Sequence, residues 1–536
     1  MNQERGEAIT IVSAEDHSFE LIEENLRNVL LNNDIKDRKI VVVSVAGAFR
    51  KGKSFLLNFM LRFLESQGAS DWLGNEDEPL KGFSWRGGSE RDTTGILVWS
   101  KVFPLKLESG EEVAVLLMDT QGSFDSSSTV KECATVFALS TMLSSIQVYN
   151  LSQNIHEYDL QHLELFTEYG RLAMEGCDEK PFQKLVFLVR DWSFPYEAEY
   201  GAVGGQMLLD RRLEISEKQH PQLQQLRKHI RSCFSDVGCF LMPHPGLEVA
   251  SSPNFDGRLS VIRSEFKESL QDLVSLLLSP SNLLPKQIAG RDVTCKDLIN
   301  YFKAYVEIFK GGELPEPKSM LNATAEANNL SAAANSKEYY SAEMEKICGG
   351  DRPFVSHQIL ERKHFEIRQI ALQKFSETKK MGNEELEHSF KEKLVKEIDE
   401  MYSSLVRFND GKQIAHAVRT PATLLLIIVI CYLNSTLLRA LGLEAFAVSI
   451  NFFMVLTIVA LGLWGYCRFT GEAHHVGTFI DNMVNIVLTN FIFPSQKQIA
   501  QAFAGKGNFT TSMDGSIETL ETPSVIHTNL LHRNVK

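Results

Sequence analysis

The sequence predicts an α/β domain built around a phosphate-binding loop (P-loop), with a mixed, mostly parallel sheet. A three-helix bundle, a transmembrane helical hairpin and an amphipathic tail helix follow it. The loop GAFRKGKS at 47–54 lies between an apolar, β-branched run and a run with helical periodicity. The composition of 318–410 turns rich in the helix formers Ala, Glu and Lys. Two long spans, 421–438 and 445–467, contain no charged residue.

Length and charge limit the classes of protein to consider. A chain of 536 residues is long enough for two or three domains. The net charge of −13, from 55 basic and 68 acidic residues, argues against a general nucleic-acid binder, because such a protein neutralises phosphates with Lys and Arg. We therefore expect no nucleic-acid partner. The eight cysteines are scattered without zinc-ligand spacing, which indicates reduced thiols in the cytosol.

The loop matches the pattern G-x-x-x-x-G-K-[ST], which ends here in Lys53 and Ser54. The N–H groups of such a loop, with the N-terminus of the next helix, surround phosphate oxygens. Lys53 would reach the β- and γ-phosphates, and Ser54 would bind Mg²⁺. The expected nucleotide-binding residues of the loop are Gly47, Ala48, Phe49, Arg50, Lys51, Gly52, Lys53, Ser54 and Phe55.

A second apolar strand, at 113–122, ends in DTQG. Asp119 occupies the position of the carboxylate that faces the metal ion in P-loop proteins, and Gly122 offers a backbone N–H to a γ-phosphate. Thr93 and Thr94 lie between the loop and this strand, in the order expected of a switch segment, although a threonine in a polar loop can also be a plain turn residue. We expect Mg²⁺ as the cofactor, with a metal site of Ser54, Thr93 and Asp119, and Thr94 as the alternative to Thr93.

A third apolar strand, at 182–195, indicates which base the site reads. We find no [NT]-K-x-D tetrapeptide after a suitable strand, but this strand ends in Arg190 and Asp191. A carboxylate at Asp191 could accept hydrogen bonds from guanine N1–H and from the exocyclic amine, a donor pair that adenine lacks. An Arg-Asp pair at a strand end can also be a structural ion pair. The pair alone leaves both interpretations open.

The two uncharged spans predict a membrane anchor. Each is close to the roughly 20 residues that cross a hydrocarbon core. Only RALGLE at 439–444 separates them, so their outer flanks lie on one side, and basic residues place those flanks in the cytosol. A buried helical hairpin in a soluble domain is the alternative. Polar residues in the first span leave open a shallow hairpin in place of two full crossings.

The segment 474–494 predicts an amphipathic helix ending at Pro494, since its apolar residues recur at helical spacing. The preceding span tethers this helix to the bilayer, so we expect it to lie at the membrane interface. The alternative is a helix packed on the cytosolic domain.

Taken together, the motifs GAFRKGKS, RDTTGI, DTQGSFD, LVRDWSFP and CFLMPHPGL, with the linker LPEPKSMLNATAEANNL and the paired spans, resemble the dynamin-superfamily GTPases of the atlastin type. The similarity covers about residues 10–495. It implies a GTP hydrolase, multi-pass in the endoplasmic-reticulum (ER) membrane, with both termini cytosolic. Such a protein tethers and fuses ER membranes homotypically, coupling GTP binding and hydrolysis to dimerisation and hinge movement, and so builds the tubular network.

The resemblance also implies partners and base-binding residues. The partners are GTP and GDP, membrane lipids and a second copy of the chain in trans, with pairing in cis and other ER-shaping proteins left open. Arg190 and Asp191 would engage guanine. The segment PHPGLEV would close over the base with His244 and Val249.

The resemblance further implies that Arg50 acts as an internal arginine finger. The residue chemistry supports this role, because Ser123 occupies the position at which Ras-type GTPases place their catalytic Gln, and a finger in cis can replace that contribution. A surface cation on an exposed loop is the alternative for Arg50, and Lys51 has no assigned chemistry. The expected catalytic residues are Arg50, Lys53, Ser54 and Thr93.

Composition sets the expected domain boundaries. The Gly/Pro-rich GGELPEP is a plausible hinge, and turns at 348–355 and 379–385 divide the helical region. The expected domains are a GTPase domain at 1–310, a hinge linker at 311–317, a helical-bundle middle domain at 318–410, a transmembrane hairpin at 421–467 and a cytosolic tail at 468–536 with the amphipathic helix at 474–494.

Two other functions are alternatives. A membrane-shaping hairpin protein could carry a regulatory or vestigial nucleotide site, but the intact set of Lys53, Asp119 and Asp191 argues against it. A guanylate-binding defence protein would rely on a helical C-terminal region and lipidation, whereas this sequence ends in RNVK without a prenylation box and carries two spans.

Two substitutions in the soluble fragment 1–410 separate binding from chemistry. We expect Arg50→Ala to keep GTP affinity and to lose about 10³–10⁵ in turnover, the usual contribution of an arginine finger. Lys53→Ala should lose binding itself, because the phosphate cation is removed. Nucleotide titration and phosphate release measure the two effects. Lost GTP binding in Arg50→Ala would make this residue structural.

Overall fold

The computed structural model describes residues 6–15, 18–49, 51–85, 93–122, 129–176, 179–310, 315–350, 352–470 and 474–487. The described strands are β1 (Ala8–Glu15), β2 (Ser18–Leu21), β3 (Lys39–Gly47), β4 (Ile96–Trp99), β5 (Phe103–Lys106), β6 (Glu112–Thr120), β7 (Ile146–Ser152), β8 (Phe182–Arg190), β9 (Phe234–Leu241), β10 (Gln287–Ile288) and β11 (Arg291–Asp292). The described helices are α1 (Glu23–Leu30), α2 (Lys53–Glu65), α3 (Val130–Leu143), α4 (Glu157–Gln161), α5 (Glu164–Gly176), α6 (Ala202–Arg212), α7 (Pro221–Cys233), α8 (Leu247–Ser251), α9 (Ser264–Leu278), α10 (Cys295–Phe309), α11 (Pro317–Cys348), α12 (His357–Glu377), α13 (Glu384–Ala440), α14 (Glu444–Thr470) and α15 (His474–Val487).

The chain divides into two units, Met1–Val406 and Arg407–Lys536. In the first unit, a large sheet has the strand order β2-β1-β4-β6-β3-β7-β8-β9, and β5 also pairs with β6. The five neighbours β6, β3, β7, β8 and β9 run parallel. The remaining strands pair antiparallel on the β6 side. This arrangement confirms the predicted mixed sheet with a parallel centre.

The central strands are mostly apolar because helices cover both faces of the sheet. On β3, Val43 and Val45 face the layer that contains α2 and α9. Ile40 and Val42 face the opposite layer, which contains α1, α3 and α10. Successive side chains of a strand point to opposite faces, so a strand buried on both sides needs an apolar residue at almost every position.

Strand register brings the sequence motifs to one edge of the sheet. The carboxyl ends of parallel strands share an edge, and in open α/β sheets this is where ligands bind. Val45 of β3 lies opposite Asp119 of β6, and Gly47 lies opposite Asn150 of β7. Arg190 ends β8 at the same edge, because Ser152 of β7 pairs with it.

The start of α11 packs against the α/β domain through a small polar centre. Thr324 donates its hydroxyl hydrogen to the carbonyl of Met320, at 2.8 Å. Its oxygen therefore accepts from the hydroxyls of Tyr169, at 3.2 Å, and Tyr305, at 3.0 Å. Three fully buried hydroxyls thus join α5, α10 and α11.

The later part of α11, with α12 and the first part of α13, forms a helical region with its own core. Tyr340 and Met344 of α11 pack with Leu360 and Phe375 of α12 and with Ile398 of α13. The connections between these helices fall close to the two turns that the sequence predicts.

The second unit contains two helical segments that are long and apolar enough to cross a membrane. They are Val418–Ala440 and Glu444–Cys467, with mean hydropathies of 2.0 and 2.3. Only 17% and 11% of their residues are buried, so most of their apolar surface is exposed. An exposed surface of this size fits lipid and excludes the alternative of a buried hairpin. The helix predicted at 474–494 is present as α15, and 488–494 lie outside the described residues.

We expect Thr324→Val to lower the free energy of unfolding by about 1–3 kcal/mol, because two buried tyrosine hydroxyls lose their acceptor while the side-chain volume is kept. Thr324→Ser retains the hydroxyl and serves as the matched control, with a smaller loss. Urea unfolding of fragment 1–410 measures both. Equal stability of Thr324→Val and the wild type would show that the tyrosines find other partners.

Candidate functional site

The phosphate loop is shaped by a glycine at each end. Gly47 has a φ of +145°, and a Cβ there would lie 2.2 Å from the carbonyl oxygen of Asn150. Gly52 has a φ of +73° and precedes the first residue of α2. Between them, the carbonyl of Lys51 accepts a hydrogen bond from Asn150 Nδ2, at 2.9 Å. The loop is therefore held against β7 by a hydrogen bond from the side chain of Asn150 to the loop backbone.

Asn150 was not among the predicted site residues. A signal was present in the sequence, since a polar amide sits inside the apolar strand VYNLS and a buried polar group needs a partner. The local pattern could not show that this partner is a carbonyl of the loop, because 99 residues separate the two groups.

The three residues predicted to bind Mg²⁺ lie together. Ser54 Oγ donates to Asp119 Oδ2 at 2.6 Å, and the hydroxyl of Thr93 also hydrogen-bonds this carboxylate. The other oxygen, Oδ1, accepts from the backbone N–H of Thr120 at 3.0 Å. The alternative ligand, Thr94, is exposed. Two hydroxyls and one carboxylate form a hard oxygen set that suits Mg²⁺, which usually takes its remaining ligands from water and phosphate.

Lys53 is buried at the first position of α2, and its Nζ donates to the carbonyl of Ala48 at 3.3 Å. Burial lowers the pKa of this lysine to about 8, while the negative charge of Asp119 raises it. Burial raises the pKa of Asp119 to about 6, and the charge of Lys53 and the Ser54 hydroxyl oppose that shift. The ammonium and the first turn of α2 supply positive potential to a polyphosphate.

Gly122 lies against the loop, as the predicted γ-phosphate contact requires. A Cβ at this position would lie 2.5 Å from the Cα of Phe49 and 3.0 Å from Nζ of Lys53. A side chain here would push the loop and its lysine away. Arg50 and Ser123, predicted as finger and as the replacement for the catalytic Gln, lie outside the described residues.

Arg190 is buried beneath the loop. Its Nη1 lies 3.4 Å from the carbonyl oxygen of Lys51 and 3.5 Å from that of Gly52, and its guanidinium lies over the ring of Phe266. Burial lowers the pKa of Arg190, while the neighbouring Asp191 raises it. Its Nε is buried without a hydrogen-bond partner among the described residues. Arg190 thus contacts the backbone of the phosphate loop from β8.

Asp191 adopts a left-handed conformation, with a φ of +58°, and is partly exposed. This conformation is costly for a non-glycine residue, and residues held in it cluster at functional sites. The chain therefore turns sharply between the buried Arg190 and the accessible Asp191, which separates the two side chains of the predicted guanine motif.

The remaining predicted residues have clear positions. His244 is partly buried, and its Nδ1 accepts from the backbone N–H of Gly246 at 3.0 Å. Val249 is partly buried against the core that contains Phe55. The ring of Phe55 packs edge-on against Phe59, so its side chain belongs to the core and only its backbone can serve a ligand.

Known proteins match this chain over nearly its whole length. Residues 16–286 match the family model of the guanylate-binding protein N-terminal domain. The chain is 52% identical to human Atlastin-2 over 519 residues, which cover 97% of this chain and 88% of the relative. It is 54% identical to Drosophila melanogaster Atlastin over 494 residues (91% of each chain) and 56% identical to mouse Atlastin-3 over 483 residues (90% and 89%). The chain belongs to the atlastin family.

Membership confirms the resemblance drawn from the motifs. As a member of this family, the protein is a GTPase that hydrolyses GTP to GDP and phosphate and fuses membranes of the ER. The two apolar segments fit the hairpin that anchors such a protein in the bilayer.

The site makes a prediction about pH. Asp119 can bind a metal ion only as a carboxylate, and its pKa is raised to about 6. We expect the Mg²⁺-dependent affinity for a non-hydrolysable GTP analogue to fall about tenfold per pH unit below about pH 6, because binding must then release a proton. Fluorescence titrations between about pH 7.5 and 5 measure this, and the same titration in EDTA should lose the dependence. A flat affinity with Mg²⁺ would contradict the assignment.

Proposed function

We propose that Mg²⁺·GTP binds at the carboxyl edge of the sheet and that its hydrolysis drives homotypic fusion of ER membranes. The observation that carries this proposal is the set of Ser54, Thr93 and Asp119, joined by hydrogen bonds beside the buried Lys53. A vestigial nucleotide site would have no reason to retain a buried lysine and a buried carboxylate at a cost in desolvation.

Ser54, Thr93 and Asp119 would hold the metal ion, which supplies charge neutralisation to the phosphates when bound. Lys53 would exchange its contact with the carbonyl of Ala48 for the β- and γ-phosphate oxygens, and the backbone N–H of Gly122 would face the γ-phosphate. Apart from Thr93, which precedes β4, these residues lie at the end of β6 or in the first turn of α2, where rigid elements fix their positions.

Asp191 would read guanine by accepting from N1–H and the exocyclic amine, with His244 and Val249 over the base. For Arg190 we propose an indirect role, because its guanidinium contacts the phosphate loop at Lys51 and Gly52. A change at Asp191 when guanine binds would then reach the phosphate loop through the adjacent Arg190 at the end of β8.

Arg50 would stabilise the transition state as an internal finger. Support comes from the sequence, which supplies an arginine within the loop and a serine where Ras-type enzymes carry their catalytic Gln. An arginine finger in cis comes from the chain itself, so no separate activating protein is needed. Pairing of two copies of the chain could then control when GTP is hydrolysed.

Pairing of GTP-loaded domains in trans, with movement at a hinge near 311–317, would draw the two membranes together. In the structure, buried hydroxyls of Thr324, Tyr169 and Tyr305 hold the start of α11 against the α/β domain, so a movement of α11 relative to this domain would break these contacts. We place the GTPase domain at 1–310, the middle domain at 318–410, the hairpin at 421–467 and the tail at 468–536. Both termini would be cytosolic, because basic residues flank the outer ends of the spans.

Asp191→Asn tests two points: that Asp191 recognises guanine, and that nucleotide hydrolysis drives lipid mixing. An amide at this position matches the oxygen and N1–H of xanthine better than the two donors of guanine, so we expect GTP affinity to fall by about 10²-fold or more. XTP should then support hydrolysis and lipid mixing by liposomes that carry the full-length variant.

Asp272→Asn is the matched control, since Asp272 is an exposed carboxylate on α9, and it should keep the preference for GTP. Lipid mixing by Asp191→Asn with GTP at wild-type concentrations would refute the base assignment. Hydrolysis of XTP without lipid mixing would refute the coupling.

A further inference from the structure

One carboxylate joins three helices in the second unit. Oδ1 of Asp481, on α15, accepts from Thr420 Oγ1 at 2.6 Å and from Trp464 Nε1 at 2.8 Å. Thr420 lies near the start of the segment Val418–Ala440, and Trp464 lies near the end of Glu444–Cys467. Both positions are therefore at the open end of the hairpin, opposite its connecting turn.

Apolar contacts surround these hydrogen bonds. Ile480 and Val484 of α15 are buried against Leu424 of the first segment and against Leu461 and Trp464 of the second. Ile480 and Asp481 are neighbours in sequence, and Val484 lies one helical turn further on, so all three lie on one side of α15. This side contacts both membrane segments.

α15 and α14 approach each other closely at Gly477. A Cβ at Gly477 would lie 3.5 Å from the Cβ of Cys467 at the end of the second segment. This distance is an ordinary van der Waals contact, so a small side chain fits at this position.

The contacts change the interpretation of the helix. Helical spacing predicts a single apolar face, with Asp481 on the polar side. In the structure, Asp481 faces the two membrane segments, and the exposed apolar side chains form a separate stripe. This stripe consists of Val476, Phe479, Met483 and Ile486.

We propose that Asp481 is a positioning residue of the membrane anchor, whose carboxylate fixes α15 to both membrane segments at the open end of the hairpin. A carboxylate that accepts two hydrogen bonds forms stronger contacts than a neutral acceptor, and at the edge of a bilayer few water molecules compete for it. The exposed stripe is thereby held next to the hairpin, at the bilayer surface where the anchor enters.

The docking of α15 on the hairpin can be tested without an activity measurement. In full-length Gly477→Cys, reconstituted in phosphatidylcholine liposomes, mild oxidation should link residue 477 to the native Cys467, because their Cβ separation lies in the range of about 3.5–4.5 Å found in disulfides. Mass spectrometry identifies the linked peptide. The matched control is Asn482→Cys, at an exposed position of the same helix, which should form no link to Cys467. Failure of Gly477→Cys to link would overturn the docking.

The positioning role rests on the fusion activity and is tested by three substitutions. Asp481→Ala removes the acceptor, Thr420→Val removes one donor at nearly constant side-chain volume, and Trp464→Phe removes the other donor together with part of the ring. We expect Asp481→Ala to lower the initial rate of GTP-dependent lipid mixing about tenfold and each donor variant to lower it about threefold to fivefold. Adding Thr420→Val to Asp481→Ala should cause no further loss, since the two residues form one interaction.

Controls separate this proposal from the proposed function. GTP hydrolysis should be unchanged in all variants, and Asn482→Ala should mix lipids at the wild-type rate. Wild-type lipid mixing by Asp481→Ala, or additive losses in the double variant, would overturn the positioning role. If Gly477→Cys forms the disulfide but neither the wild type nor any variant fuses liposomes, the fusion activity and the positioning role both fail, while the docking stands.

Discussion

The burial of Lys53 and Asp119 side by side at the carboxyl edge of the sheet is the constraint on which the functional site depends. Removing two charges from water is expensive, and their mutual attraction compensates only in part. The pKa of the lysine is therefore lowered and that of the aspartate raised. Phosphate oxygens would stabilise the ammonium, and a metal ion would stabilise the carboxylate. Binding of Mg²⁺·GTP would therefore favour the charged form of both groups.

The loop around these charges keeps its shape through contacts with two neighbouring strands. Asn150 of β7 and Arg190 of β8 both reach the carbonyl of Lys51. A buried amide and a buried guanidinium are costly unless hydrogen-bonded, so their partners specify one loop conformation. Because Arg190 adjoins Asp191, the phosphate loop and the proposed base site would be connected through the end of β8.

The membrane anchor obeys a different physical rule. Its two long segments expose apolar side chains that would be buried in a soluble domain, because lipid is their solvent. Polar contacts between the helices therefore gain in importance, since the hydrophobic effect does not hold the helices together in lipid. The bonds from Thr420 and Trp464 to Asp481 are contacts of this kind.

The sequence by itself determined the family, the type of sheet and the two membrane segments, and it predicted which residues would bind phosphate and metal. Each of these leaves a local pattern, such as the glycine spacing from Gly47 to Gly52 or the uncharged run at 445–467. Only the tertiary structure decided which distant groups meet. Asn150 holds the loop from β7, Arg190 contacts the loop backbone from β8, and Asp481 faces the hairpin although the helical pattern puts it on the polar side. Periodicity describes which side of an element is apolar, but a hydrogen bond between residues far apart in the chain depends on strand order and helix packing, which local pattern does not contain.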